Sequence, residues 1–499
     1  MSSRPDREGR VIATPGPGRV QGVNIGGVSR FLGVPYGEPP TGDLRFAPPA
    51  ARSPWTGVFD GSDYGPRPPQ PVLTTAIGGP PERGPIDEDC LRVNIYTPGL
   101  EGARPVMVWF HGGGLAFGSA NEYDGSNLAR ENDVVVVTVG FRLGLLGFAD
   151  LSSCGPGFEG SASNGFRDQI LALEWVRANI ASFGGDATCV TLFGQSGGAV
   201  SILALLGAPS AEGLFHRAIV LSGGPPQPEP PEVVSILGGT LDADPSDPSD
   251  LPRRLRALPL GRILEIQQGI GFTAGGSIDG VVVTRFPADA IRANGARGVP
   301  IVAGSTRDEG TLLTNLMLTQ GMRPALLRVI AEGLAEGTFE GHDPTDYLTR
   351  LDDAVEGDAV ALHTQVWTDH FRRTAIRVAE AASEAGPGGW LYRFDLEPTG
   401  ALARELGVTH AADIGFVFDT VQPDDGTGLY DGDRPEVRAI AAMWSSTLAS
   451  FARHGHPNAA RPDWLPHRPG RASLVVDQNP HIELDIDARS QGLWGDRFA

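Results

Sequence analysis

The sequence predicts an α/β fold with a mostly parallel sheet covered by helices on both faces. Three observations carry that expectation. Short apolar runs alternate with segments of helical periodicity along most of the chain, the pattern of strands joined by crossover helices. The run Val134–Val139 is almost pure valine, as a strand buried on both faces requires. Thr188–Gly207 reads as an apolar strand, a glycine-rich turn and an apolar helix in immediate succession.

The elements follow in order. Val11–Gly37 reads as short strands separated by glycine turns, and Glu38–Pro85 as a proline-rich loop region too interrupted for long elements. Leu91–Tyr96 and Val106–Phe110 are strands, the second running into His111-Gly112-Gly113-Gly114. Asp168–Phe183 places Ile170, Leu171, Leu173, Val176 and Ile180 at helical spacing and leads into the strand Cys189–Phe193. The helix Ala199–Leu206 and the strand Ala218–Leu221 come next, and Pro225–Asp250, rich in proline and aspartate, is expected to be an exposed excursion. Val299–Ala303 is a strand with Arg307-Asp308-Glu309-Gly310 just past its end. Thr311–Gly389 is mainly helical and reads as an insertion contributing to the site rather than as a separate domain. Trp390–Phe394 is a strand, Ala439–Arg453 an amphipathic helix, and a proline-broken tail closes the chain. With no internal repeat and no obvious linker, residues 1–499 are expected to form one domain.

Composition narrows the partners. The net charge of −20 disfavours nucleic acid and anionic membrane surfaces. All 40 basic residues are arginine. No apolar run approaches a membrane span, and Met1–Arg10 holds no stretch of signal-peptide length. The three cysteines, Cys90, Cys154 and Cys189, are odd in number and show no metal-ligand spacing, so free thiols in a reduced, cytoplasmic setting are expected. Neither a metal nor an organic cofactor is called for, and the chain is expected to be a monomer or a homo-oligomer.

The chemistry gathers at Gly194-Gln195-Ser196-Gly197-Gly198. A serine on so sharp a strand-to-helix turn exposes its hydroxyl at the strand tip, and the flanking glycines let strand and helix close without a Cβ clash. The nearby helix N-terminus favours a developing negative charge. In a chain holding 68 glycines the pentapeptide alone is weak, and the strand and helix around it supply the specificity. A serine nucleophile needs a base, an orienting carboxylate and oxyanion donors. Only glycine lets several N–H groups turn towards one point, so Gly113 and Gly114 are candidate donors, with Gly197 a third. Glu309 and Asp308 compete as the acid, and spacing does not separate them. Of ten histidines, His410 stands out because it lies in a loop entering an apolar segment and completes the order serine, acid, histidine. The other nine stay open as alternatives at this point; His363 and His370 fit surface or core positions, and His454 and His456 flank a glycine turn.

Many ordered blocks extend these local signals: F-L-G-V-P-Y-G-E-P-P (Phe31–Pro40), L-R-F (Leu44–Phe46), E-D-C-L-R-V-N-I-Y (Glu88–Tyr96), F-H-G-G-G-L (Phe110–Leu115), N-G-F-R-D-Q (Asn164–Gln169), F-G-G-D (Phe183–Asp186), G-L-F-H-R-A-I-V-L-S-G (Gly213–Gly223), R-D-E-G-T (Arg307–Thr311), the His410 segment and F-A-R-H-G-H-P-N (Phe451–Asn458). With these the chain resembles the type-B carboxylesterases, the α/β-hydrolase family that includes para-nitrobenzyl esterases and cholinesterases, from about Val11 to Trp494. The resemblance implies an α/β-hydrolase fold and a serine carboxylic-ester hydrolase acting on small to medium uncharged esters. It makes Ser196 the nucleophile, Glu309 rather than Asp308 the acid, His410 the base, and Gly113, Gly114 and Gly197 the oxyanion donors. Ser222 matches a serine near the triad, and Leu115 and Gln195 fall at the substrate pocket.

The departures from the family pattern are informative. Gln195 stands where the family usually has Glu, which makes the pocket less favourable to a cationic substrate. Gly197 replaces the usual Ala, and Leu115 the usual Phe. No tryptophan precedes Cys90 where cholinesterases place one for a quaternary ammonium group, so choline esters are not expected. Pro66-Arg67-Pro68 occupies the place of the cysteine that pairs with the E-D-C cysteine in secreted relatives, which implies a free Cys90. The same triad also serves amide or thioester cleavage and acyl transfer. Some relatives of this fold are adhesion proteins without catalysis; they generally lack a triad member.

Overall fold

The computed structural model describes residues 9–71, 83–241, 244, 247–271, 275–295, 298–340, 342–400, 403–421, 428–461 and 463–494. Within these the chain divides into two units, each assembled from separated segments. The first comprises the described residues of Met1–Leu73, Pro80–Arg217 and Glu229–Arg285; the second comprises those of Ala218–Pro228 and Phe286–Ala499.

The first unit holds β1 (Arg10–Ala13), β2 (Arg19–Ile25), β3 (Val28–Pro35), β4 (Val58–Asp60), β5 (Arg92–Thr97), β6 (Arg104–Phe110), β7 (Val135–Val139) and β8 (Gly185–Gln195). Their order is β1-β2-β3-β5-β7-β6-β8, with β4 on β2. Along that order pairing is antiparallel from β1 to β7, β4 joins β2 in parallel, and β6 runs parallel to both β7 and β8. The valine strand β7 is completely buried, as its composition requires. Phe110 at the end of β6 sits opposite Gly194 at the end of β8, so the two loops that leave these strands start side by side. β8 begins earlier than its apolar run does, and its first residues are half-exposed. The helix Asn164–Asn179 precedes β8 and Gly197–Leu206 follows it.

Buried charges hold the loops of this unit. Arg142 donates through Nε and Nη2 to Asp168 at 2.9 and 2.6 Å, and both residues are buried. Arg45 grips Glu88 and also donates to the carbonyls of Arg256 and Leu258 at 2.9 and 2.7 Å. Asn164 Nδ2 donates to the carbonyl of Phe46, a buried residue at φ 64°. The blocks L-R-F, E-D-C and N-G-F-R-D-Q therefore meet in one region, where each buried charge has a partner. The segment Pro225–Asp250 differs from expectation. It contains a short helix, Val234–Thr240, and Val233 and Leu237 are buried in an apolar cluster with Leu251 and Leu255.

The second unit is built on β9 (Arg217–Leu221), which enters it at Ala218, with β10 (Ile301–Thr306), β11 (Gly389–Phe394), β12 (Ala472–Val476) and β13 (His481–Leu484). β9 to β12 are parallel neighbours in that order, and β13 closes antiparallel on β12. The tail is thus not merely proline-broken. Ala472-Ser473-Leu474-Val475-Val476 is a fully buried strand whose five residues were too short a signal among the prolines. The helical stretch comprises Gly310–Thr319, Pro324–Thr338, Thr345–Ala354 and the 27-residue helix Ala359–Ala385. That long helix is capped by Asp358, whose carboxylate accepts from Val360 N and Ala361 N, and ends at Gly386 in the left-handed conformation. Arg372 on it donates through Nε and Nη2 to Asp487 at 2.9 and 2.7 Å. Among the described residues no helix is long and apolar enough to cross a membrane.

Candidate active site

In the first unit, β8 ends at Gln195 and the helix begins at Gly197, leaving Ser196 alone on the turn with φ 55° and ψ −123°. A non-glycine residue held at such angles is strained and persists only where its surroundings fix it. The surroundings explain the glycines. A Cβ on Gly198 would lie 1.8 Å from the carbonyl oxygen of Phe110, and one on Gly194 would lie 2.8 Å from the backbone of Gly198. Strand, turn and helix approach so closely that neither position tolerates a side chain.

The loop after β6 lies against this turn. Gly113 has φ 107°, Gly114 58° and Leu115 60°, and Gly113's carbonyl accepts from Ala116 N and Phe117 N. Leu115's carbonyl accepts from Gly144 N at 2.8 Å. Gln70 brackets Gly118, its Nε2 donating to the carbonyl at 2.9 Å and its Oε1 accepting from the N–H at 2.8 Å. His111 stacks on Phe141 with ring centroids 4.6 Å apart. Burial pushes its imidazole down to about 4, so the ring is neutral, and Nδ1–H donates to the carbonyl of Gly112 at 2.8 Å. A Cβ on Gly197 would lie 2.9 Å from Gly114 N and 2.8 Å from Leu115 N. The backbone amides of the loop therefore converge beside Gly197, an arrangement suited to an oxyanion. Gln195 is buried with its Oε1 against Gly112. Leu115 is buried too, crowding Gly276 together with Phe166 and Val200.

In the second unit, Glu309 follows β10 and immediately precedes the helix Gly310–Thr319; its side chain is fully buried. Its Oε1 accepts from Ser222 Oγ at 2.5 Å and from Thr306 N at 2.7 Å, and its Oε2 faces His410 Nδ1 at 2.5 Å. A carboxylate on Nδ1 favours the tautomer whose Nε2 carries no proton. Asp308, the competing acid, points elsewhere. It accepts from Val408 N at 2.9 Å and pairs with Arg307, so it holds the loop that carries His410 rather than the ring. Ser222 stands at φ 52° with its N–H donating to Gly304's carbonyl, which aims the hydroxyl at Glu309. Phe371, from the long helix, stacks on His410 with centroids 4.6 Å apart and 21° between planes.

Sequence reasoning missed Thr306 and Phe371. Thr306 acts through its backbone N–H, which leaves no mark in the residue type. Phe371 is one apolar residue in a helix rich in them. Of the other histidines singled out in the sequence, His363 is buried with Nδ1 2.8 Å from Thr314 Oγ1, and His370 Nδ1 lies 2.8 Å from Thr338 Oγ1. None of Cys90, Cys154 and Cys189 is in a disulfide.

Residues 8–491 match the model of the carboxylesterase family. The chain is 33% identical over 505 residues to a para-nitrobenzyl esterase of Bacillus subtilis (strain 168), covering 96% of this chain and 97% of that one. It is 34% identical over 502 residues to a phenmedipham hydrolase of Pseudarthrobacter oxydans, at 96% and 97% coverage. A solved carboxylesterase of Geobacillus stearothermophilus superposes with a TM-score of 0.82 at 32% identity, over 97% of this chain and all of that one (100%). The chain belongs to the carboxylesterase family, has the α/β-hydrolase fold and is an ester-hydrolysing enzyme.

Proposed function

We propose that this carboxylesterase cleaves small to medium uncharged carboxylic esters through an acyl-enzyme on Ser196. His410 takes the proton of Ser196 Oγ as that oxygen attacks the ester carbonyl. The N–H groups of Gly113, Gly114 and Gly197 receive the oxyanion, and Glu309 holds the imidazole tautomer and offsets the positive charge of the imidazolium. His410 returns the proton to the departing alcohol, then activates the water that releases the acid. Ser222 positions Glu309, and Leu115 and Gln195 border the substrate. Residues 1–499 act as one catalytic domain in this reading.

The observation that carries the proposal is the carboxylate of Glu309, buried, supplied with donors by Ser222 and Thr306, and set on Nδ1 of His410. The uncharged substrate class rests on Gln195, a neutral side chain buried beside the glycine loop. A reduced, cytoplasmic setting is part of the proposal. It is supported by three cysteines outside any disulfide, with burial and the nearby Asp168 pushing the Cys90 thiol far up and keeping it unreactive. Ser196→Ala tests the reading. It is expected to abolish p-nitrophenyl ester turnover with an unchanged melting temperature, and turnover at the parent rate would overturn it.

A further inference from the structure

Three residues beyond His410 lies a carboxyl group that this reaction leaves unused. Asp413 is 0% exposed. Tyr392, on β11, donates through its hydroxyl to Oδ2 at 2.9 Å, while Oδ1 has no hydrogen-bond partner among the described residues. The backbone carbonyl of Asp413 accepts from Phe416 N and Val417 N, which ties the residue to the start of the helix Ile414–Val417. A buried carboxylate with one neutral donor is costly unless something nearby rewards its charge.

The titratable groups facing it are few. Glu309 approaches from the turn before the helix Gly310–Thr319, His410 from its own segment, Tyr392 from β11, and Tyr430 from the segment before the helix Pro435–His454. Arg372, the cation on the Tyr392 side, is committed to Tyr392's carbonyl and to Asp487. The imidazole of His410 is thus the group whose positive charge Asp413 can balance.

We infer that Asp413 is a positioning residue for the general base: as a carboxylate it joins Glu309 in stabilising the imidazolium of His410 during acyl transfer, and its protonation in acid withdraws that support. Burial, and then the neighbouring charge of Glu309, push the Asp413 carboxyl up to about 6, within the range where an esterase is assayed. This rests on the assignment of His410 as base. The acid limb of kcat/KM is then the product of two coupled ionisations and falls more steeply than a single one.

Asp413→Asn keeps the size and the acceptor for Tyr392 but removes the charge. It is expected to lower kcat about tenfold at pH 8, leave KM within about twofold, and reduce the acid limb to a single-ionisation shape. Tyr392→Phe, which keeps the carboxyl and deletes its donor, is expected to move the acid limb to higher pH. A pH profile parallel to the parent's in Asp413→Asn would overturn the inference. Should that variant not fold, an unmoved acid limb in Tyr392→Phe would do the same. Parent enzyme and His410→Gln are treated in parallel with an organophosphonate ester. If the parent labels Ser196 and His410→Gln does not, an unmoved profile counts against Asp413 alone. If labelling is indifferent to His410, the assignment of the base falls first and this inference with it.

Discussion

Gly197→Ala probes how tightly the glycine loop closes on the nucleophile turn. The added Cβ would lie 2.8 Å from Leu115 N, 2.9 Å from Gly114 N and 3.2 Å from Gly114 Cα. Comfortable contact needs about 3.5 Å, so the loop must retreat by roughly 0.7 Å. The obstructing atoms are backbone, and hydrogen bonds at Gly113 and Leu115 hold them, so they do not yield as the end of a flexible side chain would. In the proposed mechanism the retreat lengthens the contacts of Gly113 and Gly114 to the oxyanion. Deleting one such donor outright costs about 10² to 10³ in kcat, so a partial lengthening is expected to cost about tenfold, roughly 1.4 kcal/mol of transition-state stabilisation. Ground-state binding makes little use of these donors, so KM should stay within about twofold. Steady-state kinetics on p-nitrophenyl butyrate, with a melting curve to verify folding, measures both. A folded variant with the parent's kcat would refute the reasoning.

Two further outcomes follow from the carboxylates. Glu309→Gln should cost about 10³-fold or more in kcat/KM, since it removes the group proposed to fix the tautomer of His410, whereas Asp308→Asn should cost only a few-fold through the loop at Val408. The reverse ranking would contradict the geometry. Asp369 is buried beneath Tyr347 and Gln365, and burial pushes its carboxyl up to about 6. The folded state therefore keeps a proton between about pH 4 and 6 that the unfolded chain has lost, and stability falls as pH rises through that window. Asp369→Asn lacks this penalty, so its stability relative to the parent should improve by about 3 kcal/mol between pH 4 and pH 7. Urea unfolding at both pH values measures this, and a pH-independent difference would contradict it.

What was legible in the sequence follows from whether the constraint is local. The turn at Ser196 was readable because Gly194 and Gly198 answer to atoms a few residues away and to the strand alongside, and no other residue type meets those distances. The valine run of β7 was readable because burial on both faces dictates composition. The choice between Glu309 and Asp308 was not, since adjacent carboxylates diverge only through the backbone leaving β10. One meets a ring 101 positions away in sequence and the other a backbone N–H 100 positions away. Family resemblance had to make that choice. β12 and the apolar cluster around Leu237 escaped because each is a short signal inside proline-rich sequence. Asp413 did leave a trace, an acidic residue within the otherwise apolar run from Ala411 to Phe418, yet its meaning depends on Tyr392 and Glu309 meeting it.

The central claim is that Ser196 carries the acyl group, and intact-mass analysis after treatment with an organophosphonate ester tests it most directly. The account predicts one stoichiometric adduct, mapped to Ser196, formed in step with loss of ester turnover and absent from Ser196→Ala. Turnover that survives full labelling of Ser196, or an adduct that forms equally in Ser196→Ala, would contradict it.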